Sequence, residues 1–193
     1  MAVLVTGGAR SGKSSFAEQY AMRLGESGVY IATCQPFDEE MKERVKRHQQ
    51  TRDTAGFSWS TIEEPFEAAG LLNKLAAGYS AASEAAPVVL LDCLTLWLTN
   101  WLLRIEHEGL GDSRLVHEMD KLAAAIKAYP SPLVVVTNEV GDGIVPEYAL
   151  GRIFRDEAGR LNQLAAACCD RVFLVTAGIP VDLKAIAFKW EDL

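Results

Sequence analysis

Eight residues near the start of the chain constrain its folding more than any other segment. Gly7-Gly8-Ala9-Arg10-Ser11-Gly12-Lys13-Ser14 fits the pattern G-x-x-x-x-G-K-[ST], and it lies between a short β-branched apolar run, residues 2–6, and a stretch, residues 14–24, in which Phe16, Tyr20, Ala21 and Leu24 recur at helical spacing. A strand passing through such a loop into a helix aims the free N–H groups of the first helical turn, its positive end, at whatever the loop encloses. Glycines let the backbone wrap close to a triphosphate, Lys13 adds a point charge, and Ser14 can hold Mg²⁺. This strand, loop and helix order separates the motif from a chance glycine-rich turn.

The rest of the chain alternates strand and helix. A second strand is expected over residues 29–33, then a charged helix over about 39–51 with Asp38 as its cap. A short strand over 57–62 puts Phe57 and Trp59 on one face, and Pro65 opens a helix ending near Gly78, followed by a small-residue connector, 79–86. An apolar strand over 88–91 ends in Asp92, and an apolar helix runs through Trp97 and Trp101 toward Arg104. After a polar loop, 108–113, the pattern gives a helix to Ala128, a strand over 133–137, a glycine-rich stretch to Pro146, a helix over about 148–169 and a strand over 172–176. Uninterrupted apolar strands suit a parallel sheet covered on both faces. The expected class is α/β: one doubly wound, mostly parallel sheet in a single domain spanning residues 1–193. Strand order does not follow from the pattern.

Charge narrows the ligands. The 193 residues carry 19 Lys and Arg against 26 Asp and Glu, a net charge of −7, which argues against a broad nucleic-acid-binding face. An anion site must therefore be local. No apolar run reaches the roughly 18 to 20 residues of a membrane span; the longest, 93–103, is interrupted by Thr95, Thr99 and Asn100. The first residues lack a basic segment and run straight into the glycine loop, so a soluble, cytoplasmic protein is expected. Cys34, Cys93, Cys168 and Cys169 have no CxxC spacing and are read as reduced and structural. No His, Cys and acid spacing suggests zinc.

Residues 38–52 are the local cationic segment, with Lys42, Arg44, Lys46, Arg47 and Arg52. On a helix Met41, Val45 and His48 share a face, with Arg44 and Arg52 about one turn either side. Neighbouring guanidiniums favour the neutral, nucleophilic imidazole. Spacing alone fits either that or a packed histidine in a solvated helix, whereas His107 and His117 have no such company and read as surface or packing residues. Asp92 either helps to hold Mg²⁺ or caps the following helix. A third constellation follows the strand over 133–137: the bending loop to Pro146, then Arg152, Arg155, Asp156, Arg160, Asn162 and Gln163 on one helix. It is either a ligand-facing loop with its support, or a solvated helix carrying an Arg152–Asp156 ion pair. A guanine-reading switch GTPase is disfavoured, since the single Asn-Lys pair, Asn73-Lys74-Leu75-Ala76, lacks the acid of Asn-Lys-x-Asp.

These residues together resemble a known family. The phosphate loop, Tyr30-Ile31-Ala32-Thr33, Arg44-Val45-x-x-His48-x-x-x-Arg52, Leu91-Asp92-Cys93-Leu94-Thr95, Thr137-Asn138-Glu139-Val140-Gly141-x-Gly143-Ile144-Val145-Pro146 and Phe154-Arg155-Asp156-x-x-Gly159-Arg160-x-Asn162-Gln163 look like the bifunctional adenosylcobinamide kinases/adenosylcobinamide-phosphate guanylyltransferases of cobalamin biosynthesis. The resemblance runs in order from about Ala2 to Lys184. It implies a RecA-like nucleotide-binding core, phosphorylation of adenosylcobinamide with ATP or GTP, and GMP transfer from GTP through a guanylylated histidine to give adenosylcobinamide-GDP. His48 takes that histidine's position, and Lys13 is the second catalytic residue. Besides residues 7–14, the resemblance places Thr33, Gln49, Gln50, Thr51, Arg52, Glu63 and Asp92 at guanine nucleotide, and Ser14 and Asp92 at Mg²⁺. It implies a homo-oligomer, a trimer. The competing expectations are a phosphate-loop small-molecule kinase without guanylyl transfer, its basic helix serving as a lid, and a non-catalytic nucleotide sensor.

Overall fold

The structure, a computed structural model, describes residues 1–35, 43, 56–81, 87–111 and 113–189. The expected helix over 39–51, with Arg44, His48, Gln49, Gln50, Thr51 and Arg52, lies outside the described residues. The strands are β1 (Ala2–Thr6), β2 (Ser27–Ala32), β3 (Ser58–Glu63), β4 (Val88–Asp92), β5 (Leu133–Val136), β6 (Arg171–Thr176) and β7 (Ile179–Asp182). The helices are α1 (Lys13–Ala21), α2 (Ala68–Ala81), α3 (Leu94–Glu108), α4 (Ser113–Ala128), α5 (Ala149–Cys168) and the short α6 (Leu183–Ile186).

All seven strands join one sheet in the order β3-β2-β4-β5-β1-β6-β7, and every neighbouring pair is parallel except β6 with β7. The strands that read as continuously apolar, β1, β4 and β5, occupy its centre. Alternate residues go to opposite faces. Leu4, Ile31, Leu91 and Val135 pack with Leu72 of α2, Trp97 and Trp101 of α3, Leu122 of α4 and Leu161 of α5. Val3, Val5, Leu90 and Val134 go to the other face, against Ala17 and Ala21 of α1. Each such large side chain contributes about 1.5–3 kcal/mol on burial, which is why the strands tolerate no polar interruption. The two buried indoles keep their donors satisfied, since Trp97 and Trp101 both donate to the Phe66 carbonyl, at 2.7 and 3.2 Å.

Two local expectations are corrected and a third feature is added. Helix α2 starts at Ala68 and not at Pro65, because the Glu64 carboxylate accepts the N–H groups of Phe66 (3.1 Å) and Glu67 (2.8 Å) and holds the intervening residues in a capped turn. It also runs beyond Gly78 to Ala81, the glycine costing only about 1 kcal/mol in an alanine-rich stretch. The third is an addition: β6 and β7 form a hairpin, and α6 follows directly. Its turn residues Ala177 (φ 51°) and Gly178 (φ 80°) are both left-handed, the backbone a tight hairpin needs. None of the four cysteines is in a disulfide, and among the described residues no helix is long and apolar enough to cross a membrane.

Candidate functional site

The phosphate loop leaves the C-terminal end of β1, between β5 and β6. Gly7 is the position where only glycine fits, since a Cβ there would lie 2.4 Å from the Val175 carbonyl oxygen of β6 and 2.7 Å from the Ser11 Oγ. Gly12, at the N-cap of α1, has φ 94° and ψ 2°, and a Cβ would come within 3.2 Å of the Gly178 Cα. The β6–β7 turn thus braces the loop, and the Gly178 N–H donates to the Ser11 carbonyl at 2.8 Å. Within the loop the Ser11 N–H donates to the Gly8 carbonyl at 3.3 Å. Lys13 is only 7% exposed, yet its ammonium folds over the loop and donates to the Gly8 carbonyl at 3.0 Å. Gly8, Ala9, Arg10 and Gly12 stay open to solvent, with Ser14 half-buried one residue into the helix. Open N–H groups at a helix start, with one cation above them, suit phosphate oxygens.

Two strands away, β4 brings Asp92 to the same edge of the sheet. Tyr30 orients it, the phenol donating to Asp92 Oδ2 at 3.0 Å. The capping alternative for Asp92 is not realised, because Cys93 occupies the N-cap of α3. Thr33 is fully buried just past β2; its hydroxyl donates to the Cys93 carbonyl (2.7 Å) and accepts the Cys93 N–H (2.9 Å), so that hydroxyl ties β2 to β4. In the sheet register Ala32 pairs with Glu63 on one side and with Asp92 on the other. The two acids therefore stand level, one strand either side of β2 and about 10 Å apart, with Glu63 exposed. The structure thus brings Thr33, Glu63 and Asp92 to one end of the sheet, the end that also carries the phosphate loop.

Oxygen donors of this kind fit Mg²⁺, which takes one or two carboxylates and keeps phosphate and water ligands. Among the described residues no group of three or more His, Cys, Asp or Glu forms a complete protein cage. Cys93, adjacent to Asp92, is no nucleophile: burial first, and then the Asp92 charge, push its thiol up to about 12, outweighing Lys13. His107 and His117 are exposed, as expected.

The loop after β5 is a supported structure. Arg155 donates to the Gly141 carbonyl, and Arg152 donates to the carbonyls of Pro146 (3.1 Å) and Glu147 (2.5 Å), which favours the supported loop over the alternative of an Arg152–Asp156 pair. Asn162 donates to the Asn138 carbonyl at 3.1 Å, while the Glu139 carboxylate accepts the Gly141 N–H at 2.8 Å. The loop meets the phosphate loop directly, the Glu139 N–H donating to the Gly7 carbonyl at 3.1 Å. Its tip is apolar and open, with Ile144 97% and Val145 58% exposed. Tyr30, Thr95 and Thr137, which the sequence showed only as members of longer motifs without a role of their own, and Gly178, which it did not single out, help to build the site. Their roles rest on contacts with distant segments, which no local pattern announces.

A glycine loop and buried lysine on a central parallel strand, with an acid two strands away, define a phosphate-loop nucleotide-binding protein of RecA-like architecture. The fold is similar to that of an ATPase from the type III secretion system of pathogenic bacteria, at TM-score 0.50 and 10% identity over 98% of this chain and 59% of that one. The RadB recombinase aligns at TM-score 0.49 and 16% identity, over 90% of this chain and 73% of that one. At 10% identity the likeness to the ATPase is one of fold. The family described as Cobinamide kinase / cobinamide phosphate guanyltransferase matches residues 3–183, and the chain belongs to that family. Among its relatives, the bifunctional adenosylcobalamin biosynthesis protein CobP of Pseudomonas aeruginosa is 41% identical over 94% of this chain and 96% of its own length. The bifunctional adenosylcobalamin biosynthesis protein CobU of Escherichia coli K12 is 40% identical over 95% of this chain and all of its own.

Proposed function

We propose that this bifunctional transferase phosphorylates adenosylcobinamide with ATP or GTP, and then transfers GMP from GTP, by way of a guanylylated His48, to adenosylcobinamide phosphate, giving adenosylcobinamide-GDP. What carries this function is the family match over residues 3–183, which takes in the whole phosphate loop. In the first reaction the acceptor hydroxyl bonds to the γ-phosphorus, the bond from that phosphorus to the β–γ bridging oxygen breaks, and the hydroxyl proton passes to solvent. Lys13 and the N–H groups at the start of α1 hold the charge spread over the transferred oxygens. When bound, Mg²⁺ supplies further neutralisation of the phosphates, and Ser14 and Asp92 are the residues to hold it.

In the second reaction a ring nitrogen of neutral His48 bonds to the α-phosphorus of GTP and pyrophosphate leaves. A phosphate oxygen of adenosylcobinamide phosphate then attacks that phosphorus, the N–P bond breaks, and the histidine is regenerated. Arg44 and Arg52, near His48 in sequence, favour the uncharged imidazole. Gln49, Gln50, Thr51, Arg52, Glu63 and Asp92 receive the guanine nucleotide, with the buried Thr33 beside it, in keeping with the common sheet edge of Thr33, Glu63 and Asp92. Loop 138–146 faces the corrinoid. We assign these roles to one domain, residues 1–193, working as a homo-oligomer in the cytoplasm.

The test is incubation with GTP labelled at the α-phosphorus. The protein should retain guanylate after denaturation in an alkali-stable, acid-labile phosphoramidate that is absent in His48→Ala. His48→Ala should keep kinase activity, whereas Lys13→Ala should lose phosphoryl transfer by about 10²-fold or more. Retained label in His48→Ala refutes the histidine, and kinase activity with no label at all in the wild-type protein leaves a plain kinase.

A further inference from the structure

Beside the phosphate loop, four residues close a ring of hydrogen bonds around the backbone of one residue, Asn138. The Asn138 N–H donates to Thr95 Oγ1 at 2.8 Å, and the Thr95 and Thr137 hydroxyls lie 3.3 Å apart. The Thr137 hydroxyl donates to Asn162 Oδ1 at 2.7 Å, and Asn162 Nδ2 returns to the Asn138 carbonyl at 3.1 Å. Because Thr137 gives its single proton to Asn162, the proton between the two threonines belongs to Thr95. Every donor and acceptor of the ring then has one direction, and both the N–H and the C=O of Asn138 are engaged. The next N–H, that of Glu139, lands on the carbonyl of Gly7.

Ala158, Leu161 and Ala165 pack α5 on the sheet through apolar contacts, and the ring adds a polar tie from that helix to the root of the loop. Thr95 and Thr137 are buried, at 7% and 1% exposure, so their hydroxyls have no solvent to turn to and losing one partner strands the next. Asn162 is half-buried on the helix that supports the loop. Its amide is the one side chain in the ring that accepts and donates through two separate atoms, accepting from Thr137 at Oδ1 and donating to the Asn138 carbonyl from Nδ2. Such a device fixes where a loop starts, and a loop facing a phosphoryl acceptor must start in register with the loop that grips the donor.

We propose that Asn162 is a positioning residue for phosphoryl transfer: acting through Asn138, it sets loop 138–146 in register with the phosphate loop and touches neither substrate. This rests on the reading of that loop as the corrinoid-facing one. Asn162→Asp is the diagnostic change, since it keeps an acceptor for Thr137 but sets an oxygen against the Asn138 carbonyl. Its kcat/KM for the corrinoid acceptor should fall about 10²-fold, mainly through kcat. Nucleotide affinity, and guanylyl-enzyme formation from GTP, a half-reaction without corrinoid, should stay within about twofold of wild type. Thr137→Val should reproduce the defect from the other side of the ring, and Thr137→Ser, which restores the hydroxyl, should relieve it.

Wild-type acceptor kinetics in Asn162→Asp overturn the proposal. So does a parallel loss of nucleotide binding and guanylylation, which marks a structural role for the whole edge. If Asn162→Asp does not fold, Thr137→Val carries the test, and failure of both to fold assigns the ring to stability. The Asn138→Ala/Glu139→Ala double variant separates the two levels. Unchanged acceptor kinetics there refute the corrinoid-facing loop itself, whereas a defect there beside a normal Asn162→Asp refutes only the positioning.

Discussion

Two loops leave neighbouring strands at the same edge of the sheet, one after β1 and one after β5, and they are built on opposite principles. The phosphate loop is shaped by its own backbone: a glycine pressed on the Val175 carbonyl, a glycine at positive φ, and backbone hydrogen bonds to its own Gly8 and from the β6–β7 turn. The loop after β5 is shaped by side chains sent from α3 and α5, namely Thr95, Arg152, Arg155 and Asn162. Backbone demands concentrate in a few positions that accept one residue type. Side-chain tethers share the load, each net hydrogen bond contributing about 0.5–1.5 kcal/mol. The first loop should therefore fail abruptly under substitution, and the second by degrees.

The largest effect is expected at Gly7. Its absent Cβ would meet a strand carbonyl at 2.4 Å, so no flexible side chain can give way. Gly7→Ala should destabilise the protein by about 1–3 kcal/mol and weaken nucleotide binding by a further order of magnitude or more, through the displaced loop. Calorimetric titration with a non-hydrolysable nucleotide, alongside a melting curve, measures both. Wild-type affinity in this variant would break the contrast between the loops.

A smaller effect is expected at Arg155, whose guanidinium holds the Gly141 carbonyl in the middle of the second loop. Arg155→Ala removes one tether of several. Its KM for the corrinoid acceptor should rise about fivefold to tenfold, the worth of one charge-assisted hydrogen bond at a half-buried site, with nucleotide affinity unchanged. A loss as complete as that at Gly7 would mean that this tether alone shapes the loop.

The same contrast governs what could be read without coordinates. The phosphate loop was legible because its backbone requirements are local and leave Gly7, Gly12 and Lys13 in fixed spacing. The central strands were legible because double-sided burial makes them apolar throughout, and Asp92 because it ends such a strand. The ring around Asn138 was not, since its partners lie 43 and 24 residues away and no local pattern links them. Nor was β7, where Pro180 argues against a strand; the proline is tolerated because β7 is the sheet's last, antiparallel strand. Its turn carries Ala177 at positive φ instead of the Asn-Gly that announces a tight hairpin. Strand order depends on how the crossovers fold back, information that periodicity does not hold.

The smallest effect, absent at neutral pH, sharpens the comparison at the seam itself. Cys93 sits where the two loops meet, with Asn138 Nδ2 at 4.0 Å from its Sγ and the Lys13 charge acting on it. Burial and Asp92 push this thiol from 9.0 up to about 12, and burial with Cys168 does the same to Cys169 at the end of α5. In each case the folded value is the higher one, so above pH 9 the unfolded chain loses thiol protons that the folded chain keeps. Stability is then complete below about pH 9 and declines as pH rises toward 12, by up to about 1.4 kcal/mol per pH unit for each thiol. Denaturant midpoints at pH 7.5, 9 and about 10.5 should fall more steeply for the wild type than for Cys93→Ala, the difference isolating one thiol from the lysines and tyrosines that titrate nearby. Iodoacetamide offered to the native protein should modify the half-buried Cys34 and Cys168 well before Cys93. If Cys93 is alkylated as fast as Cys34, and its replacement leaves the pH profile unaltered, then water reaches the seam, the two loops part in solution, and the register set by the Asn138 ring is not held between turnovers.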